Sequence, residues 1–400
     1  MQPTAVFFNI PGYGHINPSL PLADALVSRS HRIAYFTTEK YRKAVETTGA
    51  EVHLYPQIED DYFERRGLHG GRAHRVALQL LQTTEAVLPH LLKTTVKLDP
   101  DYVLYDGMCP WGYFVARILG LPAVVSLALM PPIAPPPRAL LNRTILEFIG
   151  PAVFRDFRTG LAAIRLARQL AKQYGIEPLG LTRLLNAPGD LLVSYTSAEF
   201  QPFSETVPDT VRFVGRTVRL EAGVAPRLFA PAAGRPLVYV SLGTLHNRDR
   251  DLYARIIRAF AGRDEYVLLT TGRTFGQEAF PDLPENVAVH PWLPQAAVLE
   301  RAALFITHGG LNSIHDGLFF GVPMLLLPQQ GEQGFNSARV TELEAGIMLR
   351  GKAANRAGIA AATQQLLAEP AYRQNAARIG ATFRKPGSLP AVVDEIESMV

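Results

Sequence analysis

Short apolar stretches alternate with longer segments of helical periodicity along the first half of the chain. The apolar stretches are AVFFNI (5–10), RIAYFTT (32–38), EVHLYP (51–56), DYVLYD (101–106), PAVVSLA (122–128) and DLLVSYTSA (190–198). The helical patterns cover 17–29, 39–48, 74–98, 110–119 and a long stretch near 138–174. Strands that are apolar on both faces belong to parallel sheets with helices on both sides. This half therefore predicts a doubly wound α/β domain.

The second half repeats the same alternation and predicts a second domain of the same class. Its apolar stretches are PLVYVSLGT (236–244), YVLLTTG (266–272), NVAVHPWL (286–293), ALFITHGG (303–310), VPMLLLP (322–328) and GIMLR (346–350). Between the halves, residues 216–235 are rich in proline, alanine and glycine and predict a linker. Ligands of open α/β sheets bind beyond the carboxyl ends of the strands, and two such domains imply a cleft. Residues that directly follow strands are therefore the functional candidates.

Composition narrows the class of protein without changing this architecture. The 400 residues suit two domains, and 40 Lys and Arg against 36 Asp and Glu leave a net charge of only +4. With no run of like charges, binding to nucleic acid is not expected. The one cysteine, Cys109, excludes an intramolecular disulfide framework and a thiolate zinc site. We expect a cytoplasmic protein without a signal peptide or a membrane-inserted segment.

Three patterns that can hold phosphate or metal are incomplete or have a simpler explanation. Residues 346–352 spell GxxxxGK, but Ala353 follows where a phosphate loop has a hydroxyl that binds magnesium. The DxD spacings at 249–251 and 99–101 could hold a divalent cation. Helix capping for the first and a turn for the second are the favoured interpretations. We therefore expect neither a metal site nor a cofactor.

Gly14 and His15 follow the first predicted strand, and Asp106 ends the fourth. A histidine at the mouth of a sheet can accept a proton near neutral pH, and a carboxylate can orient its ring and stabilise the imidazolium. The turn Pro11 to Gly14 and a helix opening at Asn17 would put His15 before that helix. The alternative is that His15 caps the helix and Asp106 is a turn residue. The sequence does not decide between these two interpretations.

Residues 290–333 combine an aromatic side chain with a glycine turn and polar side chains. Trp292 follows a strand, is expected to be exposed and can stack on a nucleobase. The segment THGGLNS (307–313) places His308, Asn312 and Ser313 where a strand turns into a helix, an arrangement that can hold phosphate. A tight strand-to-helix connection is the alternative for this turn. Glu332 and Gln333 follow the next strand and can bind sugar hydroxyls. For Glu332, the alternative is an acidic residue that stabilises a helix N-terminus.

These motifs give the chain a family resemblance. It resembles the family 1 glycosyltransferases of the GT-B fold, and most of all the bacterial macrolide-type UDP-glucosyltransferases. The motifs concerned are NIPGYGHINPSLPLADAL, HRIAYFTTEKYRKAVETTGAE, RPLVYVSLGT, HPWLPQAAVLERAALFITHGGLNS and PQQGEQGFNSARVTELEAGI. The resemblance implies two Rossmann-like doubly wound domains that face a cleft. Residues 1–215 would bind the acceptor, 236–380 would bind the UDP-sugar, and a helix within 381–400 would cross back to the first domain.

The resemblance also implies roles for individual residues. His15 would be the general base and Asp106 its partner. For donor binding, Trp292 would stack on uracil, with Leu293 and Gln295 nearby. The diphosphate would be bound by Gly243, Thr244, His308, Gly310, Asn312 and Ser313. The sugar would be bound by Glu332 and Gln333. The implied acceptor contacts are Tyr13, Met108 and Trp111.

One position departs from the family pattern. Asp316 stands where the family usually has a glutamate that holds the ribose, and its side chain is one methylene shorter. Asp316 remains an implied donor-binding residue, which would reach the ribose directly or act through water, but tight selectivity at the ribose is not expected.

The expected reaction is an inverting, metal-independent transfer of a hexose, in particular glucose. The donor would be a UDP-sugar, preferred over TDP- and GDP-sugars. The acceptor would be a hydroxyl of a small hydrophobic natural product such as a macrolide, a flavonoid or another phenol. Two alternatives on the same fold are a non-catalytic nucleotide-sugar-binding or activator protein and a nucleotide-sugar epimerase. No pattern indicates an oligomeric state.

Overall fold

The computed structural model describes residues 2–65, 73–131, 156–216, 234–243, 249–272, 275–384 and 388–400, with Phe229 and Ala232. Most of the predicted linker 216–235 lies outside these residues. So do Thr244, the proline-rich segment after Pro131, and the predicted helix 138–174 before residue 156. The chain divides into two compact units. Unit 1 comprises residues 1–217 and 385–400, and unit 2 comprises residues 218–384.

Unit 1 is built on a parallel sheet of seven strands. The strands are β1 (Thr4–Phe8), β2 (Arg32–Thr37), β3 (Glu51–Leu54), β4 (Tyr102–Asp106), β5 (Ala123–Leu127), β6 (Leu191–Ser194) and β7 (Val211–Phe213). Their order is β3-β2-β1-β4-β5-β6-β7, and each neighbouring pair is parallel. The described helices that follow are α1 (Tyr13–Ser28), α2 (Arg42–Glu46), α3 (Tyr62–Arg65), α4 (Ala73–Leu98), α5 (Pro110–Leu119) and α6 (Phe157–Tyr174).

Hydrophobic cores lie on both faces of this sheet. Along β1, Ala5 and Phe7 pack into the core that contains α1, whereas Val6 and Phe8 pack into the core that contains α4 and α5. All four side chains are completely buried. Successive residues of a strand point to opposite faces, so a strand covered on both sides must be apolar at every position. This requirement explains the continuous apolar stretches of the sequence.

Unit 2 has a six-stranded parallel sheet of the same class. Its strands are β8 (Leu237–Ser241), β9 (Tyr266–Thr270), β10 (Val287–His290), β11 (Leu304–Thr307), β12 (Met324–Leu326) and β13 (Gly346–Met348), in the order β10-β9-β8-β11-β12-β13. Its described helices are α7 (Arg250–Phe260), α8 (Gln295–Leu299), α9 (Leu311–Phe319), α10 (Gly331–Glu342), α11 (Arg356–Ala368) and α12 (Pro370–Phe383). The described parts of both units thus confirm the two predicted doubly wound sheets. Short 3-10 turns lie at Glu39–Tyr41, Leu181–Arg183, Ser204–Thr206, Gln277–Ala279 and Gly351–Ala353.

The last helix, α13 (Ser388–Glu397), packs on unit 1. Val392, Val393 and Ile396 are buried in the core that contains α1. Arg29, the C-cap residue of α1, binds Asp394 at 2.8 Å and Glu397 at 2.5 Å. Exposed ion pairs contribute little, so burial of the three apolar side chains supplies most of the stabilisation.

Helix α1 begins at Tyr13, four residues before the predicted start, so the expectation that Pro11 to Gly14 form a turn with His15 before the helix is wrong. The carbonyl of Gly12 accepts hydrogen bonds from the N–H groups of His15 and Ile16, both at 2.9 Å. Gly12 is the N-cap residue, in an extended conformation. The first turn therefore forms ahead of Pro18, whose missing N–H removes only a later hydrogen bond. His15 lies inside the first turn and does not cap the helix.

Candidate active site

The structure brings His15 and Asp106 together at the carboxyl edge of the unit 1 sheet. His15 Nδ1 lies 2.8 Å from Asp106 Oδ2, across 91 residues of sequence. The Asp106 side chain is 1% exposed and that of His15 is 13% exposed. Because an ionised carboxylate only accepts hydrogen bonds, this contact assigns the proton to Nδ1 and makes Nε2 the basic nitrogen of the neutral ring. This tautomer is the one that a general base requires.

Asp106 is both the partner of His15 and a turn residue, the two roles that the sequence offered for its carboxylate. Its Oδ1 accepts a hydrogen bond from the backbone N–H of Met108 at 2.8 Å, while Oδ2 binds His15. Its backbone carbonyl accepts from the N–H of Cys109 at 2.7 Å. The turn after β4 therefore fixes the carboxylate in the orientation that meets the imidazole.

A buried polar cluster that the sequence analysis missed supports the first turn of α1. The Asn9 side-chain amide lies 2.9 Å from Ser19 Oγ and 2.6 Å from the Tyr35 hydroxyl. The same amide is 3.5 Å from the carbonyl oxygen of His15. Burial raises the pKa of Tyr35, so its hydroxyl stays protonated. A polar residue directly after a buried strand, as at Asn9, was the available sequence signal.

The three predicted acceptor contacts differ sharply in exposure. Tyr13 is 49% exposed, and its ring packs edge-on against Tyr41 at 5.1 Å. Met108 is almost fully buried. Trp111 is completely buried in the core beside α5, and its indole N–H donates to the Tyr55 hydroxyl at 3.2 Å. Trp111 presents no surface to a ligand in this geometry. Its bulk and apolar character are used for packing.

In unit 2, the ring of His308 lies between two glycines. A Cβ at Gly243 would lie 2.7 Å from His308 Cε1, and one at Gly310 would lie 2.5 Å from His308 Nε2. Gly243 also has a φ of +86°, which other residues rarely adopt. Both positions therefore require glycine because of the imidazole, which they hold at the carboxyl edge of the sheet.

The N-terminus of α9 follows this histidine directly. Gly310 is its N-cap residue and supplies no capping side chain, and the first turn carries no acidic residue. Asn312 and Ser313 are half-buried in that turn. Backbone N–H groups and the positive end of the helix dipole favour an anion at such a place. The geometry is therefore suited to a phosphate group.

Helix α10 packs against the same glycine turn. Gly309 has a φ of +82°, and a Cβ there would overlap Ser337 Oγ. Asn336 Nδ2 donates to the carbonyl of Gly309 at 3.4 Å. The first turn of α10 also carries the exposed Glu332 and the buried Gln333, whose Oε1 accepts from the N–H of Gln329 at 2.9 Å. One helix therefore carries both predicted sugar contacts and supports the turn.

Trp292 is 64% exposed in the loop after β10, whereas its neighbour Leu293 is buried. Gln295, at the start of α8, donates from Nε2 to Asp316 Oδ2 at 2.8 Å. Asp316 lies on α9 and is 9% exposed. This contact joins α8, which follows the exposed indole of Trp292, to α9, whose N-terminus is suited to a phosphate.

The acidic DxD pairs have structural roles. Asp249 Oδ1 accepts from the N–H of Leu252 at 2.9 Å and caps α7. Asp101 Oδ2 accepts from the N–H of Thr4 at 2.8 Å. In the parts of the chain that the structure describes, no three His, Cys, Asp or Glu residues gather as metal ligands would. Within the same parts, no helix has the length and apolar character needed to cross a bilayer.

Known proteins resemble this chain over almost its whole length. The model of the family described as UDP-glucoronosyl and UDP-glucosyl transferase matches residues 213–386. The NDP-glycosyltransferase YjiC of Bacillus licheniformis is 30% identical, over 98% of this chain and 96% of its own. The oleandomycin glycosyltransferase of Streptomyces antibioticus is 28% identical, over 98% of this chain and 89% of its own.

Solved structures agree with the sequence relatives. The glycotransferase of kitacinnamycin superposes with a TM-score of 0.85 at 26% identity, over 100% of this chain and 99% of its own. The calicheamicin glycosyltransferase CalG4 superposes with a TM-score of 0.80 at 27% identity, over 100% of this chain and 98% of its own. With two Rossmann-like units and relatives of this identity along its length, the chain belongs to the bacterial UDP-glycosyltransferases and is a glycosyltransferase of the GT-B fold.

Proposed function

We propose that this glycosyltransferase transfers a hexose, in particular glucose, from a UDP-sugar to a hydroxyl of a small hydrophobic natural product. The buried Asp106 that binds His15 Nδ1 at 2.8 Å is the observation that carries the proposal. His15 Nε2 takes the proton of the acceptor hydroxyl. The acceptor oxygen then bonds to the anomeric carbon as the bond from that carbon to the diphosphate breaks. The configuration at the anomeric carbon inverts, and UDP leaves.

Residues of unit 2 would bind the donor. The exposed indole of Trp292 offers a stacking surface for uracil. His308 and the N-terminus of α9, with Asn312 and Ser313, would hold the diphosphate and stabilise the charge that develops on UDP as it leaves. Glu332 is exposed at the start of α10, where it can bind hydroxyls of the sugar. The proposed proton acceptor belongs to unit 1, whereas these groups belong to unit 2.

Relatives support a natural-product acceptor by their names. They include a demethyllactenocin mycarosyltransferase, a 4'-demethylrebeccamycin synthase and an oleandomycin glycosyltransferase, each matched over 98% of this chain. The exposed Tyr13, two residues before His15, offers an aromatic contact to an apolar acceptor. A phenol, a flavonoid or a macrolide hydroxyl would suit this surface.

The test is a screen of phenolic and macrolide acceptors against UDP-, TDP- and GDP-sugars, followed by mass spectrometry. We expect an acceptor product heavier by one hexose, formed fastest with a UDP-sugar. Equal turnover with GDP-sugars would contradict the proposed nucleotide. Binding of UDP-sugar with no product for any acceptor would favour a non-catalytic binding protein. Isomerisation of the donor sugar without an acceptor would favour an epimerase.

Activity should survive an excess of chelator. We propose that the α9 N-terminus and His308 neutralise the leaving diphosphate, a task that a divalent cation performs in other enzymes. Initial rates with and without chelator, and after adding magnesium or manganese, measure this. A loss of activity that either metal restores would show that a cation takes part in the reaction.

Lengthening Asp316 should sharpen selectivity at the ribose. The ribose connects the base to the phosphates. In unit 2, the Gln295–Asp316 contact likewise joins α8, which follows the proposed base platform Trp292, to α9, whose N-terminus would hold the diphosphate. In the wild type, one Asp316 oxygen is engaged by Gln295. We therefore expect UDP and 2'-deoxy-UDP to bind with similar affinity. Asp316→Glu should favour UDP by about tenfold, because a hydrogen bond to a charged group contributes roughly 1.5 kcal/mol or more.

Calorimetric titration of both nucleotides measures this ratio. Asp316→Asn is the control, because it keeps the side-chain length and should not raise the preference for UDP. Strong discrimination by the wild type that Asp316→Asn abolishes would mean that Asp316 itself binds the 2'-hydroxyl.

A further inference from the structure

Helix α6 carries an exposed face of one charge. Its 18 residues, FRTGLAAIRLARQLAKQY, contain four basic residues and no acidic one. Arg158, Arg165, Arg168 and Lys172 are all exposed. At about 100° per residue, the four positions fall within an arc of roughly 80° on the helix. The buried positions Gly160, Ala163, Ala167, Leu170 and Ala171 lie on the other side.

No neighbouring side chain that the structure describes neutralises this charge. Among the described residues, none of the four cations forms an ion pair. The nearest acid along the chain, Asp156, binds Arg75 of α4 at 3.0 Å. Glu85, the one acidic residue of α4, and Glu177, just beyond α6, are both exposed, and neither forms an ion pair with one of the four. The whole chain has a net charge of only +4, so four cations on one helix face, none with an ion-pair partner among the described residues, are a marked concentration of positive charge.

The same face begins with two exposed apolar side chains. Phe157 is 68% exposed, the highest fraction among the large hydrophobic side chains that the structure describes, and Leu161 is 36% exposed. Both positions fall on or beside the arc of the cations. A helix that combines an exposed basic stripe with exposed aromatic and aliphatic residues is typical of binding at the surface of an anionic bilayer. Binding to a phosphate backbone alone would not need the apolar residues.

We propose that the α6 face, defined as Arg158, Arg165, Arg168 and Lys172 with Phe157 and Leu161, docks the protein on the surface of an anionic phospholipid bilayer. The cations lie at the lipid phosphates, and Phe157 and Leu161 enter the headgroup region. Unit 1 is thereby held at a membrane surface. The docking does not depend on the proposed acceptor. For a hydrophobic acceptor, it would place the unit that carries His15 where such molecules accumulate.

The experiment is co-sedimentation of the full chain with vesicles of phosphatidylcholine, alone or mixed with phosphatidylglycerol. We expect binding only to the mixed vesicles, weakened by salt. The double variant Arg165→Glu/Lys172→Glu should lower the partition coefficient at least about 30-fold, since each basic residue near an anionic surface contributes about 1 kcal/mol. Phe157→Ser should lower binding at every salt concentration, because its contribution is apolar.

The matched control is Arg258→Glu/Lys352→Glu in unit 2. Both of these residues are exposed, and the double change alters the net charge by the same amount. We expect it to bind mixed vesicles nearly as well as the wild type. Thermal melting of each variant verifies that it is folded. Equal losses in the two double variants, equal binding to phosphatidylcholine alone, or no binding to mixed vesicles would each overturn the proposal. Retention on nucleic acid that Arg165→Glu/Lys172→Glu abolishes, without vesicle binding, would instead assign the face to that polyanion.

Discussion

His15→Ala should lower kcat with an aliphatic alcohol acceptor by about 10²–10⁴-fold, the usual contribution of a general base. An alcohol is a poor nucleophile near neutral pH, and in the wild type the imidazole held by Asp106 removes its proton. Binding of UDP should change little, because His15 belongs to unit 1 and the proposed donor residues belong to unit 2. Initial rates, with calorimetric titration of UDP, measure both quantities.

Acceptor acidity provides the control for this prediction. A nitrophenol loses its proton more easily than an alcohol, so His15→Ala should cost less activity with the nitrophenol. The informative quantity is the ratio of the two losses. Full activity of His15→Ala on the alcohol, or a loss of donor affinity instead, would mean that His15 is a structural residue.

Asp106→Asn should also lower kcat, because it removes the charge that stabilises the imidazolium. The amide can still accept from the N–H of Met108, so the turn after β4 is expected to remain. Thermal melting distinguishes a lost charge from a lost fold. A variant that melts like the wild type and retains full activity would exclude Asp106 from the catalytic pair.

Trp292→Ala has the second largest expected effect and should weaken UDP binding by about 5- to 150-fold. The estimate follows from base–aromatic stacking, which contributes about 1–3 kcal/mol for each base. The indole is 64% exposed and packs little against the rest of unit 2, so the free energy of unfolding should hardly change. Calorimetric titration of UDP and a melting curve measure the two effects.

Trp292→Tyr is the matched variant, since it keeps an aromatic face at the same position. It should retain more of the affinity than Trp292→Ala does. Unchanged UDP affinity in Trp292→Ala would exclude the indole as the base platform. Equal losses in both variants would mean that stacking is not its main contribution.

The sequence alone specified the class of fold and the kind of residue at each strand end. Strands covered on both faces must be apolar throughout, and this local requirement appears directly in stretches such as AVFFNI and LFIT. Glycine-rich turns after strands are equally local, so THGGLNS could be assigned to a strand-to-helix turn without knowledge of the rest of the chain. The exposure of Trp292 also agrees with the sequence-based prediction.

The start of α1 could not be predicted correctly from local signals. Pro18 and Gly14 both indicated that the chain before residue 17 is not helical. In the folded chain, Gly12 caps a first turn that the buried side chain of Asn9 supports. Local preference was overruled because packing at the sheet edge compensates for the hydrogen bond that Pro18 removes. The burial of Trp111 has a similar origin, since sequence cannot specify which face of a short apolar helix turns inward.

The pairing of His15 with Asp106 was decided only by the tertiary structure. Two strands, β2 and β3, separate them in the sequence, yet β4 lies directly beside β1 in the sheet. That strand order brings the end of β4 to the helix that follows β1. The contact of Gln295 with Asp316 likewise depends on how α8 packs near α9. Local amino-acid patterns encode which side chains face a core and which residues end a strand. The residues that lie beside a strand end depend on the order of strands in the sheet, and no local pattern contains that order.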